Sequence, residues 1–126
     1  MTRWQQGVLA RLLGHTALMA VVLTTVNLLF NIVANAGFKA SADSRTWRGF
    51  LFWQVLGNLA GLITVLTLTG LLRYLPLRIA FPLTTGLTVI GVQVAAAYWL
   101  FREPITLRQW MGTLLIAAGI FFVGTR

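Results

Sequence analysis

The segment TTVNLLFNIVANAGFKAS, Thr24 to Ser41, lies within a long apolar stretch and yet carries an asparagine at every fourth position, followed by a lysine. These residues are Asn27, Asn31, Asn35 and Lys39. Residues spaced four apart in an α-helix are rotated by about 40° from one another, so neighbours in the series share one face. The segment therefore predicts an apolar helix with one polar face.

The composition of the chain is that of a membrane protein. Of its 126 residues, 58% are hydrophobic and 10% are charged, and the mean hydropathy is +0.83. A soluble domain of this size cannot bury so much apolar surface in one core. A membrane span requires about 20 mostly apolar residues. Four segments meet this requirement, namely residues 14–38, 50–72, 79–101 and 107–124. We therefore expect an all-α protein with one four-helix transmembrane domain over residues 1–126.

The charge of the chain is strongly positive, at +8, and its acidic residues are Asp43 and Glu103. The basic residues are scattered between the apolar segments and form no basic domain, which argues against nucleic-acid binding. Lysines and arginines divide equally, five on each side of the predicted membrane, so they indicate no orientation. Such a chain pairs with an inverted copy of itself, takes its direction from a partner subunit, or is balanced by chance.

The first apolar segment ends near an A-x-A motif, Ala34 to Ala36, which is also found at signal-peptide cleavage sites. The apolar run is longer than the roughly 7–15 residues of a signal peptide, so we interpret it as a retained helix. The chain has no cysteine, which excludes disulfides and thiolate metal sites. It shows no catalytic triad, metal-ligand cluster or phosphate-binding glycine loop, so we expect neither an enzyme nor a bound cofactor.

The predicted second helix has a packing motif and several candidate N-cap residues. Gly57 and Gly61 form a G-x-x-x-G step, which is typical of close contact between membrane helices. The loop SADSRTWRG before the helix supplies short polar side chains that suit an N-cap. The candidates are Ser41, Asp43 and Ser44.

The last helix carries a start signal and a packing signal. Thr106 followed three residues later by Gln109 has the spacing of a capping box, so we expect the helix to begin near Leu107. Gly112 and Gly119 are two turns apart and share one stripe of that helix. Four helices are too few to enclose a path for a polar solute, so we expect a dimer with this stripe at its interface.

Several segments together resemble the four-helix members of the drug/metabolite transporter superfamily. They are LPLRIAFPL at residues 75–83, FREPITL at residues 101–107, and the last helix with its two glycines. The resemblance implies a half-transporter like those of the small multidrug resistance family. Members of that family, as the resemblance implies, form antiparallel dimers and exchange protons for cations through a glutamate in the first helix.

This sequence lacks the group on which that exchange depends. Asp43 and Glu103 both fall in predicted loops, and Asn27 or Asn31 occupies the expected region of the first helix. An amide does not take up and release a proton at physiological pH. An exporter of small cationic compounds therefore remains an alternative only if another group carries the proton.

A second branch is a closer match, namely the small subunits of the flippase for 4-amino-4-deoxy-L-arabinose linked to undecaprenyl phosphate. The segment ANAGFKAS at residues 34–41 is similar to that family's first-helix segment, with an amide four places before a lysine. IAFPL at residues 79–83 is similar to its I-A-Y-P segment, and Glu103, Pro104 and Trp110 resemble its E-P pair and following tryptophan. The differences are Asn in place of Gln at the amide position and Phe81 in place of Tyr.

This resemblance implies a multi-pass subunit of the bacterial inner membrane that flips a polyprenyl-phosphate-linked sugar, with an undecaprenyl-phosphate glycoside as substrate. Its partners would be membrane lipids and either an identical subunit, antiparallel or not, or a similar four-helix subunit. A non-transporting accessory subunit is a further alternative. The identity of the sugar, the energy source and the orientation in the membrane stay open.

The chemistry of such a substrate explains the amide stripe. A sugar head costs several kcal/mol for each unsatisfied polar group in hydrocarbon. An asparagine offers two donors and an acceptor, and a lysine offers a charge to the phosphate. We expect Asn35 and Lys39 to contribute most. The full set of predicted substrate-binding residues is Asn27, Asn31, Asn35, Lys39, Asn58 and Gln93. The alternative is that the amides only join helices and that Lys39 only extends to the interface.

Overall fold

The computed structural model describes residues 2–124, apart from the side chains of residues 8–13. These residues form helices and no strand. The helices are α1 (Arg3–Ala42), α2 (Trp47–Leu71), α3 (Leu77–Gly91) and α4 (Leu107–Gly124), and a π-helical segment (Val92–Leu100) continues α3. Four stretches are long and apolar enough to cross a membrane: Gly14–Ala42, Trp47–Leu71, Leu77–Leu100 and Leu107–Gly124. The predicted all-α class with four spans is confirmed.

The first helix is longer than its predicted span. It begins at Arg3, where a capping box that the sequence analysis missed starts it. The Gln5 amide donates to Thr2 Oγ1 at 3.2 Å, and the Thr2 amide donates to Gln5 Oε1 at 3.0 Å. With 40 residues, α1 is about 60 Å long, and a bilayer core is about 30 Å thick. The first turns of α1 therefore extend beyond one membrane span.

Helices α1 and α2 pack with their backbones almost in contact. A Cβ atom built on Gly37 would lie 3.2 Å from Gly57 Cα and 3.3 Å from the Trp53 carbonyl oxygen. A Cβ on Gly57 would lie 2.7 Å from the ring of Phe38. The expected close contact at Gly57 is confirmed, but its partner is Gly37 on α1. Within the described part of the chain Gly61 makes no such contact, because a Cβ there would meet nothing within 4 Å.

The start of α2 differs from the prediction. Thr46 is the N-cap, and its side chain accepts a hydrogen bond from the Gly49 amide at 3.1 Å. The prediction that Ser41, Asp43 or Ser44 caps α2 is wrong. Ser41 lies within α1, Asp43 is the C-cap of α1, and α2 begins only after Thr46. The Ser41 hydroxyl instead donates to the Phe50 carbonyl at 2.8 Å, and the Ser44 hydroxyl donates to the Ala40 carbonyl at 2.9 Å. These two bonds close the end of the α1–α2 hairpin.

The third span is not one uniform α-helix. It begins at Leu77, contains Pro82 and changes to π geometry at Val92. At its end the Glu103 amide donates to the Ala97 carbonyl at 2.8 Å, while Arg102 adopts a left-handed conformation with φ of 53°. That conformation costs a residue other than glycine roughly 1–2 kcal/mol. It turns the chain so that Glu103 lies beside α1.

Helix α4 begins at Leu107 with the predicted capping box, which is confirmed. The Thr106 amide donates to Gln109 Oε1 at 2.8 Å, and the Gln109 amide donates to Thr106 Oγ1 at 3.2 Å. Among the described elements, α4 packs against α3, where Ile120 fills the space over Gly86, and against the π-helical segment that continues α3. The chain thus consists of two helical hairpins, α1–α2 and α3–α4, and most of the surface of α4 faces away from the other helices.

The Gly37–Gly57 contact leads to a stability prediction. Replacing Gly37 by alanine places a methyl group against the backbone of α2, which cannot yield as a flexible side chain would. We expect the free energy of unfolding of Gly37→Ala to fall by about 1–3 kcal/mol. The measurement is unfolding in mixed detergent followed by circular dichroism. Gly61→Ala is the matched control, because its methyl group enters open space, and it should be at least as stable as the parent. Equal stability of the two variants would contradict the prediction.

Candidate functional site

The asparagine stripe of α1 begins with a residue that joins two helices. Asn27 is 3% exposed, and its Nδ2 donates to the Thr64 carbonyl at 2.9 Å and to Thr67 Oγ1 at 3.1 Å. Its Oδ1 accepts from Asn31 Nδ2 at 2.9 Å. Both donors and the acceptor of the Asn27 amide are therefore in use within the protein. Asn27 thus fixes the middle of the first span against the last third of α2.

The stripe becomes more accessible along α1. Asn31 is half-buried, and while its Nδ2 also donates to the Asn27 carbonyl, its Oδ1 accepts no hydrogen bond from a described residue. Asn35 is exposed, and its Nδ2 donates to the Asn31 carbonyl at 2.8 Å. Asn31 is thus oriented by Asn27, and Asn35 is oriented by Asn31. Asn31 and Asn35 keep an acceptor for another molecule, which Asn27 does not.

A cleft of about 250 Å³ opens beside Asn31 between three helices, and we call it the amide cleft. Its polar lining consists of Asn27 and Asn31 from α1, Thr64 from α2, and Thr84, Thr85 and Thr88 from α3. Val65, Leu68 and Phe81 complete the wall. All of these residues lie within the candidate membrane spans, and no charged residue is among them. The amide cleft therefore offers hydrogen bonds without charge at membrane depth.

The threonines that line the amide cleft differ in whether their hydroxyl groups already make hydrogen bonds. The Thr84 hydroxyl donates to the Ala80 carbonyl at 2.9 Å, and the Thr64 hydroxyl donates to the Gly61 carbonyl at 2.6 Å. Thr85 and Thr88 make no side-chain hydrogen bond to another described residue, so each can both donate and accept. The threonines were not among the predicted site residues. The spacing of Thr84, Thr85 and Thr88, which places them on one face of α3, is the signal that identifies them.

Gln93 is not part of the amide cleft. It lies in the π-helical segment and lines a second cleft of about 300 Å³, which we call the glutamine cleft. Its Oε1 accepts from Thr113 Oγ1 at 2.6 Å, which joins the π-helical segment to α4. The glutamine cleft is lined by Gln93, Ala97, Glu103, Pro104, Ile105, Gln109, Gly112, Thr113 and Ile116. The structure therefore divides the predicted site residues between two places.

Asn58 and Lys39 lie outside both clefts. Asn58 is on an exposed face of α2, where its Nδ2 donates to the Gln54 carbonyl at 2.7 Å. Lys39 is at the end of α1, and its Nζ lies 3.3 Å from Asp43 Oδ1 and 3.7 Å from Glu103 Oε1. The positive charge of Lys39 therefore already has two carboxylate partners. Its predicted contact with a phosphate, like the substrate-binding roles of Asn35 and Asn58, stays a prediction.

The two glycines of α4 make no close contact with another helix of the chain. Gly112 borders the glutamine cleft and Gly119 is exposed, and a Cβ on either would meet nothing within 4 Å. Tight helix crossings within the chain use other glycines, such as Gly91 of α3, which packs against Leu28 of α1. The role of Gly112 and Gly119 in a dimer interface stays a prediction.

The different environments of the asparagines lead to a second stability prediction. Asn27→Leu removes two hydrogen bonds between helices, and we expect the free energy of unfolding to fall by about 1 kcal/mol. Asn35→Leu is the matched control, because Asn35 bonds only to its own helix, and its effect should stay within about 0.5 kcal/mol. Unfolding in mixed detergent measures both. An Asn27→Leu variant as stable as Asn35→Leu would show that the bonds to α2 contribute nothing.

Comparisons with known proteins identify relatives of the chain. No family model matches it, and no solved structure matches it. Curated relatives do match, among them proteins named as probable 4-amino-4-deoxy-L-arabinose-phosphoundecaprenol flippase subunits ArnE. The protein from Klebsiella pneumoniae is 33% identical over 88 residues, which cover 69% of this chain and 76% of the relative. The protein from Erwinia tasmaniensis is 33% identical over 110 residues, which cover 85% of this chain and 98% of the relative.

The relative from Pseudomonas fluorescens is 32% identical over 81 residues, which cover 64% of this chain and 68% of the relative. The alignments thus extend over most of both chains, and the four apolar helices agree with a multi-pass membrane protein. The resemblance found in the sequence segments is confirmed. This chain belongs to the ArnE family of small flippase subunits, which makes it a subunit of a membrane transporter.

Proposed function

We propose that the chain is half of a flippase in the bacterial inner membrane that moves a polyprenyl-phosphate-linked sugar from one leaflet to the other. The observation that carries this proposal is the amide cleft, which places uncharged hydrogen-bonding groups from three helices within the candidate spans. The names of the relatives supply the first substrate to test, the undecaprenyl-phosphate lipid of 4-amino-4-deoxy-L-arabinose.

The amide cleft suits the part of the substrate that the bilayer rejects. The polyprenyl tail dissolves in hydrocarbon, but each sugar hydroxyl needs a hydrogen-bond partner there. Asn31 Oδ1 accepts such a bond, and the hydroxyls of Thr85 and Thr88 both donate and accept. A neutral lining also permits release, because a charged partner in a low-dielectric site would hold the phosphate strongly. The sugar head would therefore cross along the face that α1 and α3 share.

The size of the amide cleft supports a two-subunit transporter. At about 250 Å³ it is smaller than the roughly 300–1,000 Å³ that encloses a small-molecule ligand. A second subunit would complete the enclosure. Because α4 packs only against the third span, and a Cβ on Gly112 or Gly119 would meet nothing within 4 Å, its glycine stripe is free for close contact with that subunit. The second subunit is another copy of this chain or a similar four-helix chain.

The alternative of a proton-driven cation exporter has less support. It requires an acidic group at membrane depth, and neither Asp43 nor Glu103 lies within a candidate span. Both carboxylates contact Lys39 at the end of α1, outside the amide cleft. The amide cleft itself contains no acidic group through which proton exchange could drive export.

The free hydroxyls of α3 provide the test. We expect the double variant Thr85→Val and Thr88→Val to bind the aminoarabinose lipid about thirtyfold more weakly, because two hydrogen bonds are lost and each contributes about 1 kcal/mol. Binding is measured with radiolabelled lipid on protein in nanodiscs. Thr69→Val is the matched control, because Thr69 is an exposed membrane-span threonine of α2 that lies outside the cleft. It should bind as the parent does.

Three results would contradict the proposal. Unchanged affinity of the double variant for the lipid would show that the amide cleft does not bind the sugar head. Equal weakening in Thr69→Val would point to a general loss of structure. Absence of lipid binding by the parent chain, together with pH-dependent binding of aromatic cations, would favour the exporter. Circular dichroism on each variant shows whether the helical content is preserved.

A further inference from the structure

The acidic residues of this cationic chain converge on one lysine. The sequence contains two carboxylate side chains, Asp43 and Glu103, against ten lysines and arginines. Both lie within 4 Å of Lys39 Nζ, at 3.3 Å and 3.7 Å. One positive and two negative charges leave this cluster, the Lys39 triad, with a net charge of −1. The triad is therefore an anionic site at an end of the molecule that is otherwise rich in arginine.

The position of Glu103 in the triad depends on the backbone. The Glu103 amide donates to the Ala97 carbonyl at 2.8 Å, and the preceding Arg102 is in the left-handed region with φ of 53°. Arginine is disfavoured there, whereas glycine is not. This turn carries the Glu103 side chain across to α1, where Lys39 holds it. Glu103 is thus held at its backbone amide by the Ala97 carbonyl and at its carboxylate by Lys39.

Glu103 and Pro104 form the wall between two clefts. On one side lies the glutamine cleft, where Gln93 Nε2 and Gln109 Nε2 have no hydrogen-bond partner among the described residues. On the other side lies a cleft of about 410 Å³ that is lined by Tyr98, Trp99, Arg102, Glu103 and Pro104. The carboxylate therefore has amide donors on one side and a guanidinium on the other. Such an arrangement matches a solute that carries a cation, hydroxyls and an anion close together.

We propose that Glu103 is the specificity-determining residue for a primary ammonium group on the sugar head. The inference rests on the proposed function and assigns a binding role within it. The ammonium group contacts the Glu103 carboxylate, which neutralises the triad. The unpaired amide donors of Gln93 and Gln109 bind sugar hydroxyls, and Arg102 binds the phosphate oxygens. The head is thus recognised at the end of the span, at a place separate from the amide cleft.

The ion pair with Lys39 does not prevent this contact. The side chains of Lys39 and Glu103 are 44% and 46% exposed, and half-exposed pairs contribute little to stability. A carboxylate has about four lone-pair positions, so Glu103 accepts a second donor while keeping the first. Asp43 is less suited to the role. It lies four residues from Lys39, at the C-cap of α1, and lines neither cleft.

The experiment compares two lipids that differ in one charge, the aminoarabinose lipid and its N-acetylated form. Protein is held in nanodiscs of phosphatidylglycerol, because phosphatidylethanolamine also combines a phosphate with a primary amine and would compete. We expect the parent to bind the amine form about tenfold more tightly. In Glu103→Gln the preference should fall to about twofold or less, through weaker binding of the amine form alone. Asp43→Asn is the matched control and should keep the preference.

A second measurement needs no variant. Raising the salt concentration from about 0.05 M to 1 M screens half-exposed charges, so the preference of the parent for the amine form should decrease. A parent that binds both lipids equally, or a Glu103→Gln variant that keeps the tenfold preference, would overturn the role of Glu103 and leave the flippase proposal standing. A parent that binds neither lipid would overturn both. Weaker binding of both lipids after the Thr85 and Thr88 substitutions, with the preference unchanged, would support the separation of the two sites.

Discussion

The hydrogen bonds that Asn27 makes to α2 are the interaction on which the rest of the structure depends. A buried amide within a membrane must find partners inside the protein, and Asn27 finds all of them. Its bonds to the Thr64 carbonyl and to Thr67 fix the rotation of α1 relative to α2. Gly37 and Gly57 permit the same two helices to approach until their backbones nearly touch. With rotation and distance both set, Asn31 is left at the edge of the contact, where the amide cleft begins.

The asparagines of one stripe therefore serve different purposes. Asn27 acts as a link between helices, which is the usual role of amides in membrane proteins. Asn31 depends on that link, because its own amide donates to Asn27 and leaves only its acceptor free. The regular spacing of four in the sequence does not distinguish these cases. Burial does, and burial depends on where α2 lies, which the sequence of α1 does not contain.

Other features likewise divide into those that depend on nearby residues and those that depend on long-range packing. The capping box of Thr106 and Gln109 and the close contact at Gly57 could be predicted, because each depends on residues near in sequence or on a strong small-residue preference. The separation of Gln93 from Asn31 could not. Gln93 is only the second residue of the π-helical segment, and its environment depends on α4, whose Thr113 donates to Gln93 Oε1. The contact of Glu103 with Lys39 likewise depends on the left-handed conformation of Arg102, which the sequence does not indicate.

The distribution of polar groups along the span has a consequence for selectivity. Charge is expensive at the centre of a bilayer and inexpensive at a helix end, and this chain places its Lys39 triad at the end of α1 and keeps charges out of the amide cleft. A cargo would therefore meet charged groups at one end of its path and neutral ones within the span. Contacts with charged groups discriminate between cargoes strongly, because an unmatched charge is costly, whereas hydroxyls and amides accept many hydroxyl-bearing heads. A cargo that is selected at the helix end therefore needs no second selection in the amide cleft. Because the neutral groups of the amide cleft discriminate little between cargoes, they also do not retain the cargo.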